Sequence, residues 1–277
     1  MFASRAAGRV GGMAVTTDYA PVNGLDMYYE VHGDGPPLVM LHGAYMNAEH
    51  MGPLVEAFAG SRRVVVPEMQ NHGRTADADR PITYEQMADD TAELVARLEL
   101  GQPDVLGYSM GAGIGLQLAI RHPDKLGRLV AASGSYAYEG MQPAAIEMFP
   151  SLSIEMFEGT PMEADYKRLA PHPDDFRKLF EKLKTLDTTP FAWPEEDVRG
   201  IAAPTLLIFG DSDVVTLEHA VKLFRLLGGG AMGDLAGLPA SQLAVLPSTT
   251  HFIPPGHGVM DRMDWFLPMI RTFLNPA

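Results

Sequence analysis

Asp104-Val105-Leu106-Gly107-Tyr108-Ser109-Met110-Gly111-Ala112-Gly113-Ile114-Gly115 decides the fold of this chain. An apolar run leads into Gly-x-Ser-x-Gly, and a Gly/Ala-rich helical pattern leads out of it toward Arg121, where His122-Pro123 stops it. Strand, tight turn and helix in that order put Ser109 on the crest of a turn sharp enough to strain its backbone. Gly107 and Gly111 let neighbouring elements approach that crest, and Gly113 and Gly115 let the helix pack closely on a sheet.

The same rhythm extends in both directions. Leu25–Val31 is rich in β-formers and ends at the turn cluster Gly33-Asp34-Gly35-Pro36-Pro37. Leu38–Leu41, Val64–Val66, Arg128–Ala132, Thr205–Phe209 and Gln242–Leu246 are short apolar runs, the pattern of strands buried on both faces. Thr83–Leu98 reads as an amphipathic helix, with Thr83 and Gln86 spaced as a capping box. Strands alternating with helices predict a mostly parallel sheet covered on both sides. The alternation breaks over residues 134–200, where Pro residues and short helical patterns predict a helical insertion that roofs a site. Residues 18–133 and 201–277 then form the core. Residues 1–17 are expected to be a flexible extension, and Met13 could open the ordered part.

Composition narrows the function. The 277 residues are 46% hydrophobic and carry a formal net charge of −14, which argues against nucleic acid and anionic membranes as partners. No cysteine is present, so disulfides, thiolate metal sites and cysteine nucleophiles are excluded. No apolar run approaches the ~18 residues of a membrane span. No apolar segment follows Arg5 and Arg9, so a secretory signal is not expected, and a cytoplasmic protein is.

A serine hydroxyl becomes a nucleophile only beside a general base that a carboxylate orients. Two later segments sit just beyond expected strand ends, where sites of parallel sheets form. Gly210-Asp211-Ser212-Asp213 follows Thr205–Phe209, and Pro247-Ser248-Thr249-Thr250-His251-Phe252 follows Gln242–Leu246. His251 is the candidate base, with His257 as its rival. Asp213 is the candidate acid and Asp211 its competitor, which could instead brace the turn. Leu41-His42-Gly43-Ala44 is a glycine turn after a strand. It can aim the Ala44 amide, with that of Met110, at a developing oxyanion. His42 and His72 are read as local hydrogen-bonding residues. No spacing of His, Asp and Glu suggests a metal site.

With these motifs in place, the chain from Asp18 onward resembles the α/β-hydrolase superfamily. The resemblance rests on Leu41-His42-Gly43, Gly107-Tyr108-Ser109-Met110-Gly111, Gly210-Asp211-Ser212-Asp213 and Thr250-His251-Phe252. It implies an eight-stranded, mostly parallel sheet flanked by helices, a helical cap after the sixth strand, and a hydrolase without a cofactor. Within the superfamily the chain is similar to capped carboxylesterases and lactonases. Asn71–Asp77, Tyr84–Asp90 and Gly233–Pro239 resemble a bacterial group that includes serine-dependent macrolide esterases. Ser109 in place of Asp separates it from haloalkane dehalogenases and epoxide hydrolases.

The expected substrate is a small-molecule ester or lactone, uncharged or cationic, cleaved through an acyl-enzyme. Met and aromatic side chains suit a roomy pocket for a bulky apolar ligand. Tyr45, Met46, Tyr136, Met148, Phe149, Met156, Phe157 and Phe252 are the candidate lining, with Met141 and Met162 nearby in the cap. Two alternatives share the same residues: a C–C bond hydrolase, which needs a group for a substrate carboxylate, and a ligand receptor on a hydrolase scaffold. The oligomeric state is not legible.

Overall fold

The computed structural model describes residues 6–10 and 13–275. Its strands are β1 (Ala6–Val10), β2 (Met13–Val22), β3 (Leu25–His32), β4 (Pro37–Leu41), β5 (Arg63–Pro67), β6 (Asp104–Tyr108), β7 (Leu129–Ala132), β8 (Thr205–Ser212) and β9 (Gln242–Thr250). They form one sheet in the order β1-β2-β3-β5-β4-β6-β7-β8-β9. Pairing is antiparallel from β1 to β5 across the sheet and parallel from β5 to β9.

The helices are α1 (Gly52–Phe58), α2 (Tyr84–Arg97), α3 (Met110–Arg121), α4 (Pro143–Met148), α5 (Pro161–Leu169), α6 (Phe176–Thr188), α7 (Glu195–Arg199), α8 (Leu217–Leu226), α9 (Gly233–Ala236) and α10 (Met263–Leu274). Side chains along the central strands alternate between two cores. Val39, Leu41, Val105, Leu129, Ala131, Leu207 and Phe209 pack with α2, α3 and α8, whereas Leu38, Met40, Leu106, Val130, Leu206 and Ile208 pack with α1 and α10. Burial on both faces is why these runs are continuously apolar. Leu38, Val39, Met40 and Leu41 are all fully buried, each contributing roughly 1.5–3 kcal/mol.

β2 to β9 are the eight strands implied by the resemblance, and β1 adds a ninth at the edge. The structure departs here from the expected extension over residues 1–17. Residues 6–10 and 13–22 pair as an antiparallel ribbon that joins β3, and the rest of that extension (residues 1–5 and 11–12) lies outside the described residues. The physical reason is burial gained on pairing: Val15, Ala20 and Val22 are buried, and β-branched and aromatic neighbours share the strand. A second departure is local. Thr83 caps α2 by accepting from the Gln86 amide at 3.1 Å, but the Gln86 side chain donates to Asp90 and does not complete a capping box.

Between β7 and β8, α4 to α7 and several short 3-10 turns carry the chain over the carboxyl ends of the strands, with no strand among the described residues there. Phe176, Leu179, Phe180 and Leu183 form the buried stripe of α6. The Tyr166 hydroxyl of α5 donates to the Asn71 side chain at 2.6 Å, tying this insertion to the loop after β5.

Candidate active site

Every candidate catalytic group sits immediately past a strand end. Ser109 follows β6 with φ 54° and ψ −116°, a left-handed backbone that a non-glycine residue adopts at a cost of about 1–3 kcal/mol. What holds it there is crowding. A Cβ at Gly107 would run into the Gly111 carbonyl, and one at Gly111 into the Leu41 carbonyl. The two glycines flanking the serine are therefore set by close approach of α3 to β6 and β4.

Ser109 Oγ and His251 Nε2 are 2.9 Å apart, and His251 Nδ1 lies 2.8 Å from Asp213 Oδ1. The other Asp213 oxygen accepts from the Ser133 hydroxyl at 2.6 Å and the Gly210 amide at 3.1 Å. Burial pushes the Asp213 carboxyl up, but the His251 hydrogen bond and charge, with Ser133 and Gly210, outweigh it and hold the group below the usual range. It stays ionised and fixes His251 with Nδ1–H toward the acid and Nε2 free to accept from Ser109. Asp211 is exposed and accepts instead from the Ser248 and Thr249 amides, at 2.9 and 3.1 Å. It braces the last residues of β9. His257 meets the Ser248 carbonyl at 3.3 Å and is exposed. The structure thus brings Ser109, His251 and Asp213 together, and keeps Asp211 and His257 out of that chain of hydrogen bonds.

The turn after β4 is built on two buried histidines. His42 Nδ1 donates to the Gly43 carbonyl at 2.8 Å while its Nε2 accepts from the Met69 amide at 3.1 Å. His72 donates to the Gln70 carbonyl at 2.9 Å and accepts from the Tyr45 amide at 3.3 Å. Burial pushes His42 down to about 3 and His72 down to about 4, so both are neutral at pH 7. They hold Tyr45 at φ 60° and set the path of Gly43 and Ala44 beside Ser109. The amides of Ala44 and Met110, the latter opening α3, belong to residues lining the same cavity as Ser109.

That cavity measures about 580 Å³ and lies between the strand ends and the α4–α6 insertion. Of the expected lining, Tyr45, Met46, Met148, Phe149 and Phe252 face it, as do Met141 and Met162. Three expectations are corrected. Tyr136 stacks on His219 at 4.4 Å and lines a separate cleft with Trp193 and Lys222. Phe157 packs against Tyr45, Phe176 and Phe180 inside the insertion. Met156 is 61% exposed and is not part of the cavity lining. Sequence reasoning missed Tyr84, Leu186, Asp187 and Phe191 in the lining. Asp187 had a signal: it extends the apolar stripe of α6 by one turn beyond Leu183. Among the described residues no group of three or more His, Asp or Glu could hold a metal ion, and no helix is long and apolar enough to cross a membrane.

Comparison with known proteins agrees with this geometry. The model of the family described as "Alpha/beta hydrolase family" matches residues 38–268. The chain is 30% identical over 183 residues to a putative carbamate hydrolase from Rhizobium rhizogenes, covering 64% of this chain and 62% of that one, less than two thirds of its length. It is 28% identical over 277 residues to an sn-1-specific diacylglycerol lipase from Danio rerio, covering 93% of this chain and 84% of the relative. A meta-cleavage product hydrolase from Pseudomonas fluorescens superposes with a TM-score of 0.69 at 18% identity, over 93% of this chain and 97% of that structure. At that identity the superposition speaks for the fold alone.

Proposed function

The chain belongs to the alpha/beta hydrolase family, and within it we propose a serine hydrolase that cleaves a carboxylic ester or lactone through an acyl-enzyme. The observation that carries this reading is the unbroken relay from Ser109 through His251 to Asp213, at 2.9 and 2.8 Å, on the floor of a largely apolar cavity. Ser109 Oγ attacks the carbonyl carbon and His251 Nε2 takes its proton. Asp213 stabilises the imidazolium that forms. The Ala44 and Met110 amides receive the oxyanion, each worth roughly 3–4 kcal/mol of barrier. His251 then returns the proton to the leaving alcohol. A water molecule, deprotonated by His251, releases the acid.

Substrate class follows from the lining. Met46, Met148, Phe149, Met162 and Phe191 offer adaptable apolar walls, and the volume accepts a bulky ester or a large lactone, macrolactones included. The C–C bond hydrolase reading uses the same three residues, Ser109, His251 and Asp213. Against it, neither Lys nor Arg among the described residues lines the cavity to hold a substrate carboxylate. The test is a mass-spectrometric screen running from short p-nitrophenyl esters to macrolactones, with a vinylogous diketone included and Ser109→Ala as the blank. Gain of one water on an ester or lactone supports the proposal. Cleavage of the diketone alone replaces it with the C–C reading. Turnover of none, with tight ligand binding, points to a receptor.

A further inference from the structure

One carboxyl group in the cavity takes no part in the relay of Ser109, His251 and Asp213. Asp187 lies in the last turn of α6 and lines the same cavity as Ser109 and His251. The two other carboxylates there are occupied. Asp213 serves His251, and Asp165 takes Arg168 at 3.0 Å with His50 at 3.6 Å. Asp187 has no hydrogen-bond or ion-pair partner among the described residues. The lysines of its own helix are committed elsewhere: Lys178 to Asp175, Lys182 to Asp77, and Lys184 to the Leu152 carbonyl. Asp187 is half-buried, and a carboxylate facing a confined apolar cavity without a partner is partly desolvated, a cost that a cation brought by a ligand relieves.

We propose that Asp187 is a specificity-determining residue that binds an ammonium group carried by the substrate, so that the preferred ester or lactone bears a basic amine. Three aromatic residues of the same lining, Tyr45, Tyr84 and Phe191, strengthen the assignment, because aromatic faces attract alkylammonium groups beside a carboxylate. Tyr84 and Phe191 already lie with ring centroids 5.3 Å apart. The charge of Asp187 also acts on Tyr45 and Tyr84, adding to burial in raising both phenols. Burial pushes the Asp187 carboxyl up to about 7, against the opposing pull of the His251 charge. Among the described residues neither Lys nor Arg lines the cavity, and His251, whose charge acts on Asp187, is already held by Asp213, so a ligand cation is the further source of counter-charge and anionic substrates are disfavoured.

This inference rests on the ester reading, and its test separates the two. Butyrylcholine and its uncharged carbon isostere, 3,3-dimethylbutyl butyrate, are compared in two assays. The first is kcat/KM with the wild-type enzyme. The second is binding to Ser109→Ala, which needs no turnover. The cationic ester is expected to be favoured by roughly 10- to 100-fold in both, mainly through KM. Asp187→Asn should bring the ratio to within about threefold of unity, and Asp187→Glu should restore part of it. Reading a ratio cancels any loss of folded enzyme. A binding preference with neither ester hydrolysed upholds the ammonium site and removes the ester reading. Hydrolysis of both without a preference, or a preference that survives in Asp187→Asn, overturns the site and leaves the ester reading standing.

Discussion

The hydroxyl of Tyr108 donates to the main-chain oxygen of His251 at 2.7 Å, and the two rings stack with centroids 5.4 Å apart. The residue that precedes the serine in sequence thus grips the backbone of the general base from 143 residues away in the chain. Strand β6 positions both ends of the Ser109–His251 hydrogen bond. Tyr108→Phe keeps the stack and removes only the grip. Turnover is expected to fall roughly threefold to tenfold with KM little changed, alongside a stability loss of about 0.5–1.5 kcal/mol. Steady-state kinetics with a p-nitrophenyl ester and a urea titration read the two effects. An unchanged kcat would remove the positioning role.

The two carboxylates at the end of β8 should separate cleanly. Asp213 is buried against His251, whereas Asp211 is exposed and holds the amides of Ser248 and Thr249 near the end of β9. Asp213→Asn is expected to lower kcat by about 10⁴-fold, because the amide favours the wrong tautomer of the base. Asp211→Asn should cost less than about tenfold in rate and under about 1 kcal/mol of stability. A reversed order in kcat, measured at matched folded fraction, would exchange the two roles.

Acid should destabilise the fold well above the carboxylate range. His42 is pushed down to about 3, and His72 and His219 to about 4, in each case first by burial. An unfolded histidine titrates near 6.5. Between those values the unfolded chain binds protons that the folded chain refuses, so stability is full above about pH 6.5 and falls as the pH drops toward 4. Each histidine contributes up to about 1.4 kcal/mol per pH unit. Urea midpoints at pH 7, 6 and 5 should decline steadily, and His72→Gln should flatten the slope by one proton. Constant midpoints over that span would contradict neutral burial of these rings.

The lining of the cavity should set the choice of substrate. Met148 and Phe149 face the cavity, and Met156 does not. Met148→Ala and Phe149→Ala are each expected to shift the kcat/KM ratio of a bulky lactone to a short ester by on the order of tenfold. Met156→Ala should leave that ratio alone. Equal effects from all three would point to a general loosening of the insertion in place of direct contact.

What was legible in the sequence, and what was not, follows from the range of the interactions. Ser109, His251 and Asp213 were readable because each is fixed by a short segment at a strand end, and the parallel sheet aligns those ends on one edge. The ribbon β1–β2 was missed because Gly and Ala near the start conceal a pairing supplied by β3. Within the insertion, composition identified Met148 and Phe149 but also selected Tyr136, Phe157 and Met156. Which aromatic face turns toward the site depends on how α4 to α6 pack on one another, and periodicity in such short helices does not specify that. Asp187 is the instructive case. Its position on the α6 stripe was visible, but its lack of a partner appears only once the helices are assembled.

The central claim is a covalent acyl intermediate on Ser109, and trapping it is the most direct test. The enzyme is mixed with excess p-nitrophenyl acetate, quenched in acid within the first turnovers, and weighed intact before peptide mapping. The expected result is a mass gain of one acetyl group, carried by the peptide that contains Ser109, together with a stoichiometric burst of p-nitrophenol. The adduct should be absent in Ser109→Ala and should persist longer in His251→Ala if it forms there at all, since deacylation needs the same base. An acetyl group on a different residue, or multiple-turnover hydrolysis by Ser109→Ala at the wild-type rate, would contradict the account.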